Sequence, residues 1–216
     1  MMSTTVWRRG AAAAVIGLLG LGAFGCGEAV RTGRSPVYLV VNRVEAASGA
    51  EPAEFASQLA SDVETYVEQQ INGEQVRVPT IFADPGVAEF SLSLKDVGPP
   101  GNPAAPSTNN AVTINRYRVS YRRTDGRSTP GVDVPYAFEG AGTITVVPGA
   151  ASSLGFELVR IQAKEEPPLR GMRGGGAAIA ISAIADVTFY GRDQVGNEVS
   201  ATASIAVTFA DWGDPE

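Results

Sequence analysis

The chain has 216 residues, is 44% hydrophobic and 7% aromatic, and holds 25 glycines and 14 prolines. That is enough apolar material for one sizeable core, in a mix that suits short strands and turns better than helical bundles. It contains no histidine and one cysteine, and its formal charge is −6; this excludes Ser-His-Asp and Cys-His catalysis, His-ligated metals and an intramolecular disulfide, and argues against nucleic acid as a partner.

Residues 1–9, MMSTTVWRR, carry two arginines and no acid, and residues 10–25 are small or apolar without a charge. Sixteen such residues are short for a spanning helix and fit a signal-peptide core, so 1–25 are expected to be an export signal. The apolar run stops at the only cysteine, Cys26. The segment Ala23-Phe24-Gly25-Cys26 resembles the lipobox of bacterial lipoprotein precursors, with Ala23 where Leu is usual and Phe24 bulkier than usual. The resemblance implies cleavage before Cys26, diacylation of its thiol and acylation of the new amino terminus, palmitate included. Several acyl chains, at about 0.8 kcal/mol per buried methylene, anchor essentially permanently. Gly27 after the cysteine implies, by the same resemblance, the outer membrane of the bacterial cell envelope. A soluble exported protein with an incidental Cys26 is the plainer alternative.

Residues 26–35 then read as lipidated cysteine and tether, and 36–212 as a single β-sandwich domain. Without residues 1–25 the net charge becomes −8, since that segment holds two arginines and no acid. Residues 36–44 are β-rich. Residues 51–81 carry a four-residue stripe (Phe55, Leu59, Val63, Val67, Ile71) that suits a helix, yet Asn72-Gly73 sits between alternating runs, a hairpin signal. A short helical turn near 52–60 followed by a hairpin of 62–70 and 75–81 is preferred over one long helix. Ala83-Asp84-Pro85-Gly86 reads as a turn and 87–97 as a strand. Residues 98–111, with four prolines, form a long loop.

Residues 112–124 are the clearest strand. Arg116, Arg118 and Arg122 share one face by the period of two, either as a basic stripe for an anionic glycan or, more simply, paired with acids on neighbouring strands. A Pro/Gly loop spans 127–136, strands follow at 141–147 and 154–163, and 165–176 is irregular. The Gly171–Gly176 run lacks the strand before and helix after that a phosphate cradle needs, so it reads as a mobile loop and no cofactor is expected. Adjacent Glu165 and Glu166 point to opposite sides of an extended chain and make a poor hydrolytic pair. The scattered Asp and Asn residues include no calcium-loop run, and no metal site is assigned. Trp212 is expected to pack over the end of the core.

Residues 177–190 and 198–209 form the last pair of strands. The Asp193-x-x-Gly196-Asn197 turn, followed by alternating Val199, Ala201, Ala203, Ile205 and Val207, resembles the closing strands of bacterial immunoglobulin-like domains. The expected fold is therefore all-β, an immunoglobulin-like two-sheet sandwich of about eight or nine strands. The expected function is a lipid-anchored envelope lipoprotein serving as a non-catalytic structural or binding module. Its contacts with an envelope protein or glycan would come from loops 98–111, 127–136 and 165–176, through Arg127, Arg170 and Arg173. The alternatives are a carboxylate-dependent envelope glycan hydrolase and a subunit that exchanges a strand with its neighbour across an unpaired sheet edge.

Overall fold

The computed structural model describes residues 34–175 and 180–212. The signal segment, Cys26 and most of the tether lie outside the described residues. Ten strands run in chain order: β1 Val37–Ala46, β2 Gln58–Asp62, β3 Thr65–Ile71, β4 Glu74–Thr80, β5 Asp84–Leu94, β6 Val112–Arg123, β7 Phe138–Val146, β8 Ser152–Val159, β9 Ile181–Asp193 and β10 Glu198–Ala210. One short helix, α1, spans Ile161–Glu165, and 3-10 turns cover Thr108–Asn110 and Leu169–Gly175. Among the described residues no helix is long and apolar enough to cross a membrane.

The fold is all-β and sandwich-like. One sheet has the order β1-β5-β8, the other β2-β10-β9-β6-β7, and β3-β4 stand apart as a ribbon. Strands β5 and β8 thus share one sheet while β6, β9 and β10 share the other, with β7 on its edge; that division is the one found in immunoglobulin-type sandwiches. In antibody domains a disulfide joins the strands equivalent to β5 and β9. Here Phe90 of β5 and Phe189 of β9 meet edge-to-face with ring centroids 4.8 Å apart. Tyr117 of β6 packs against Phe156 at 5.4 Å and Phe189 at 6.4 Å, close to where antibody domains place a tryptophan. These rings are almost wholly buried. Edge-to-face stacking adds to their hydrophobic burial, so an aromatic cluster holds the two sheets together.

Period-two patterning breaks at two bulges. In β6, Val112 and Ile114 are buried, but so are Tyr117, Val119 and Tyr121. Asn115 is the extra residue against β9, where Ile114 opposes Gly191 and Arg116 opposes Tyr190; against β7 the shift runs the other way, Ile114 opposing Ile144 and Arg116 opposing Ala141. A second shift at Val41/Arg43 does the same in β1.

Several expectations change. The hairpin between 62 and 81 is present as β3-β4, with Asn72 at φ 53° and Gly73 at φ 88°, the two left-handed residues a tight two-residue turn requires. The short helix near 52–60 is absent. Residues 58–62 pair instead in parallel with 206–210 of β10, and Leu59 and Ser61 face inward as alternation demands. Among the described residues the α-helix lies at 161–165, where 154–163 read as a continuous strand. Ala83–Gly86 is no turn: Asp84 opens β5, Pro85 sits at a register irregularity where its missing N–H does no harm, and Gly86 leaves room for the Phe156 ring, 2.6 Å from where a Cβ would stand. Of the run read as a mobile loop, residues 171–175 are described; Met172 there, like Leu169 just before it, is buried in the core. Trp212 remains 45% exposed, its backbone N–H donating to Asp62.

Candidate functional site

The strand registers decide which loops share an end. Val112 opposes Asp193 and Val146, so the start of β6, the β9-β10 turn and the β7-β8 turn lie together. Ser35 bonds to Asp193, and Lys95 N–H donates to the Pro36 carbonyl, so the chain enters at this same end, beside loop 98–111. Arg123 opposes Ala183 and Val119 opposes Phe138, which puts loop 127–136 and the 160–175 segment at the opposite end, where Asp84 starts β5. Thirteen-residue β9 makes the two ends roughly 40 Å apart.

The three candidate arginines therefore lie at one end, the far one. Arg127 is exposed, and its guanidinium donates to Asp125 through Nε at 3.0 Å and Nη2 at 2.8 Å, with Asp133 at 3.5 Å. That hydrogen bonding holds the Asp125 carboxyl below its usual range and raises Arg127. Arg173 is half-buried and donates from Nη2 to the Lys164 carbonyl at 2.8 Å, so it closes the carboxyl end of α1. Arg170 is exposed. These two share the far end with Arg127, while loop 98–111 is remote from all three.

The basic stripe on β6 is taken up by acids across the ladder. Arg116 and Arg118 reach Glu139 of β7 at 2.9 and 3.4 Å, and Arg122 reaches Asp186 of β9 at 3.0 Å. The two arginines hold the Glu139 carboxyl below its usual range, hydrogen bonding from Arg116 leading. Above this stripe the bulge opens a hollow of about 550 Å³ lined by Asn115, Arg116, Tyr190, Gly191, Arg192, Glu198, Val199 and Ser200. Arg116, Tyr190 and Ser200 form one row across β6, β9 and β10. The Arg116 guanidinium lies 4.1 Å from the centre of the Tyr190 ring. Gly191 is needed there: a Cβ would stand 2.6 Å from the Thr113 carbonyl oxygen. Arg192 and Glu198 pair at 3.2 Å in the next row. The exposed Asn115 amide and Ser200 hydroxyl face solvent beside the ring. Sequence reasoning placed the candidate contacts in loops and missed this hollow. The signal was present in the parity change between Ile114 and Tyr117, two core-type residues three apart in one strand.

A second, apolar hollow of about 860 Å³ lies on the outside of the three-stranded sheet, with Pro52, Phe55, Val87 and Phe156 in its lining and Glu45 and Glu157 among the acids that border it. Among the described residues no group of three or more His, Cys, Asp or Glu is placed to hold a metal ion.

Two aspartates are nearly sealed from solvent. Asp193 is 5% exposed and accepts from Val195 N–H at 3.1 Å, Asn197 N–H at 2.8 Å and the Asn197 amide at 2.8 Å. Burial works against its ionisation, but the donors of Asn197, Ser35 and Val195 outweigh it and hold the carboxyl below its usual range. Asp84 is fully buried and accepts from Lys164 Nζ at 2.8 Å, Gly49 N–H at 2.8 Å and Ser61 Oγ at 2.6 Å. Its burial pushes the carboxyl up, against the opposing pull of Lys164, Ser61 and Gly49. Lys164 itself is 1% exposed. Neither residue stood out in the sequence, although Lys164 is one of only two lysines beside fifteen arginines.

No family model, curated protein or solved structure matches this chain.

Proposed function

We propose that the chain is a lipid-anchored lipoprotein of the bacterial cell envelope, moored through Cys26, whose sandwich is a non-catalytic module that binds envelope glycan at the β6 bulge. The observation that carries the binding role is the hollow itself. An aromatic ring, Tyr190, is set among side chains that both donate and accept: the Asn115 amide, the Ser200 hydroxyl, and the Arg192–Glu198 pair. A neutral sugar needs that combination, an apolar face to stack on and hydrogen-bond partners of both kinds around it. The hollow's one carboxylate is Glu198, already paired with Arg192, whereas glycoside hydrolysis uses two acids flanking one bond. That favours binding over the hydrolase alternative.

The anchor reading rests on residues 1–26 together with the entry point. Ser35 is buried against the Asp193 turn, so a tether of about eight residues, reaching at most about 30 Å, would hold that end near the membrane. The far end, with Arg127 and Arg170, would then face outward. Radiolabelled palmitate should enter the wild-type protein and not Cys26→Ala, and the variant should leave the membrane fraction. In a glycan panel the detergent-purified mature protein should retain neutral envelope polysaccharide, and Tyr190→Ala should abolish retention. Equal retention by Tyr190→Ala, or none by either protein, would refute the glycan site without touching the anchor.

A further inference from the structure

Charge alone does not explain why Lys164 is a lysine. A buried carboxylate is satisfied more readily by a guanidinium, which is weakly hydrated and bonds in two places, and this chain otherwise uses arginine almost throughout. What an amine can do and a guanidinium cannot is lose its proton and become a nucleophile. Lys164 Nζ stands 2.8 Å from Asp84 Oδ1, with side-chain exposures of 1% and 0%. Gly49 N–H also donates to Oδ1, and Ser61 Oγ donates to Oδ2 at 2.6 Å.

The geometry points to an intramolecular amide between Lys164 Nζ and Asp84 Cγ, formed by the folded chain itself. Burial disfavours both charges, so the proton passes along the hydrogen bond from the ammonium to Oδ1. The neutral amine attacks Cγ and the C–N bond forms. Charge gathers on Oδ2, where the Ser61 hydroxyl already donates, as a preformed oxyanion donor would. The C–Oδ1 bond then breaks, and Oδ1, carrying its proton, takes a second from the attacking nitrogen and leaves as water. Ammonium and carboxylate become amide and one water; no oxidant, reductant or other reactant is required. The raised carboxyl of Asp84 favours the first proton transfer. The bond would tie β5 to α1, residues 80 apart in the chain, at the end of the sandwich away from the entry point. It would constrain the unfolded chain as a disulfide does, in a protein whose lone cysteine can form none internally.

Peptide mapping of the purified full-length protein decides the matter. Trypsin cuts after Arg77, Lys95, Arg160 and Arg170, and after Lys164 only if its amine is free. The expected product is peptide 78–95 joined to peptide 161–170, one water lighter than their sum. Separate peptides 161–164 and 165–170, with 78–95 unlinked, would overturn the proposal. Two variants test the chemistry. Lys164→Arg keeps a cation but cannot condense, so its denatured chain should run as the more extended species on a gel. Ser61→Ala should still fold and should form the link about a hundredfold more slowly; linking at the wild-type rate would remove Ser61 from the mechanism.

Discussion

The two buried aspartates, Asp193 at the entry end and Asp84 at the far end, solve one problem in opposite ways. Each sits at the end of a strand, and each is followed by a glycine within three residues. Asp193 finds most of its donors within four residues, in the turn it closes, where Gly196 takes a φ of 88°. Asp84 finds its donors 35, 23 and 80 residues away, on three separate segments. The local solution costs little and leaves the acid readily ionised. The distant one assembles only once the sandwich has closed, and it buries a lysine and an aspartate side by side. What the comparison teaches is that a short acid-glycine motif can mark either a turn or a tertiary joint.

The sharpest way to break the comparison is Lys164→Met. Removing one partner of a buried pair leaves an uncompensated charge and costs about 3–5 kcal/mol, to which any lost covalent closure adds. The variant also exposes the pH sign. With the cation gone, burial is opposed only by the Ser61 and Gly49 hydrogen bonds, and the folded value of Asp84 stays above the ordinary 3.8. A raised carboxyl contributes stability that is present below the unfolded value and lost as pH rises through the folded one. Lys164→Met should therefore be most stable in acid and weaken as pH climbs above about 4. Asp193 has the reverse sign: its lowered value contributes stability above the unfolded value, lost as pH falls through the folded one. Urea denaturation between pH 3 and 8 separates the two; a Lys164→Met profile that runs parallel to wild type would refute the account of Asp84.

Phe189→Ala is next in size. It removes the ring that touches Phe90, Phe156 and Tyr117 and should cost about 3–5 kcal/mol, measured by the same denaturation. This cluster shows how far the sequence could be read. Alternation along Phe90, Leu92 and Leu94 and along Tyr117, Val119 and Tyr121 identified strands and their inward faces, and Asn72-Gly73 marked its hairpin, because each signal lies within a few residues. Partners across sheets are set by closure of the whole fold, so neither Phe90–Phe189 nor Asp84–Lys164 could be read locally. The short helix was misplaced for the same reason. The 51–71 stripe is helical in spacing, but β10 offers 58–62 a ladder, and tertiary pairing prevails over local periodicity.

Asp193→Ala should cost less, about 1–2 kcal/mol, since it removes a few hydrogen bonds whose donors can turn to water once the turn loosens. The loss should be local. Hydrogen exchange should speed at Val195 and Asn197, whose N–H groups the carboxylate holds, while protection in the β6-β9 ladder stays unchanged. Uniform loss of protection would mean that the turn nucleates the whole sheet.

The smallest effect on stability is expected at the site proposed to carry function. Arg116 and Glu139 are 47% and 44% exposed, so their 2.9 Å pair is solvated and screened by salt. Arg116→Ala should leave the melting temperature within about 2 °C of wild type. Its consequence lies instead in the hollow, where the guanidinium covers one face of Tyr190 and fixes the ring's tilt. Removing it frees the ring, so glycan retention should fall while the fold stands, and adding salt to the wild type should not reproduce the loss, because stacking on a neutral sugar carries no net charge. A variant that keeps both its stability and its retention would show that the pair only solubilises the sheet, and would move the search for the binding surface to the apolar hollow beside Phe55.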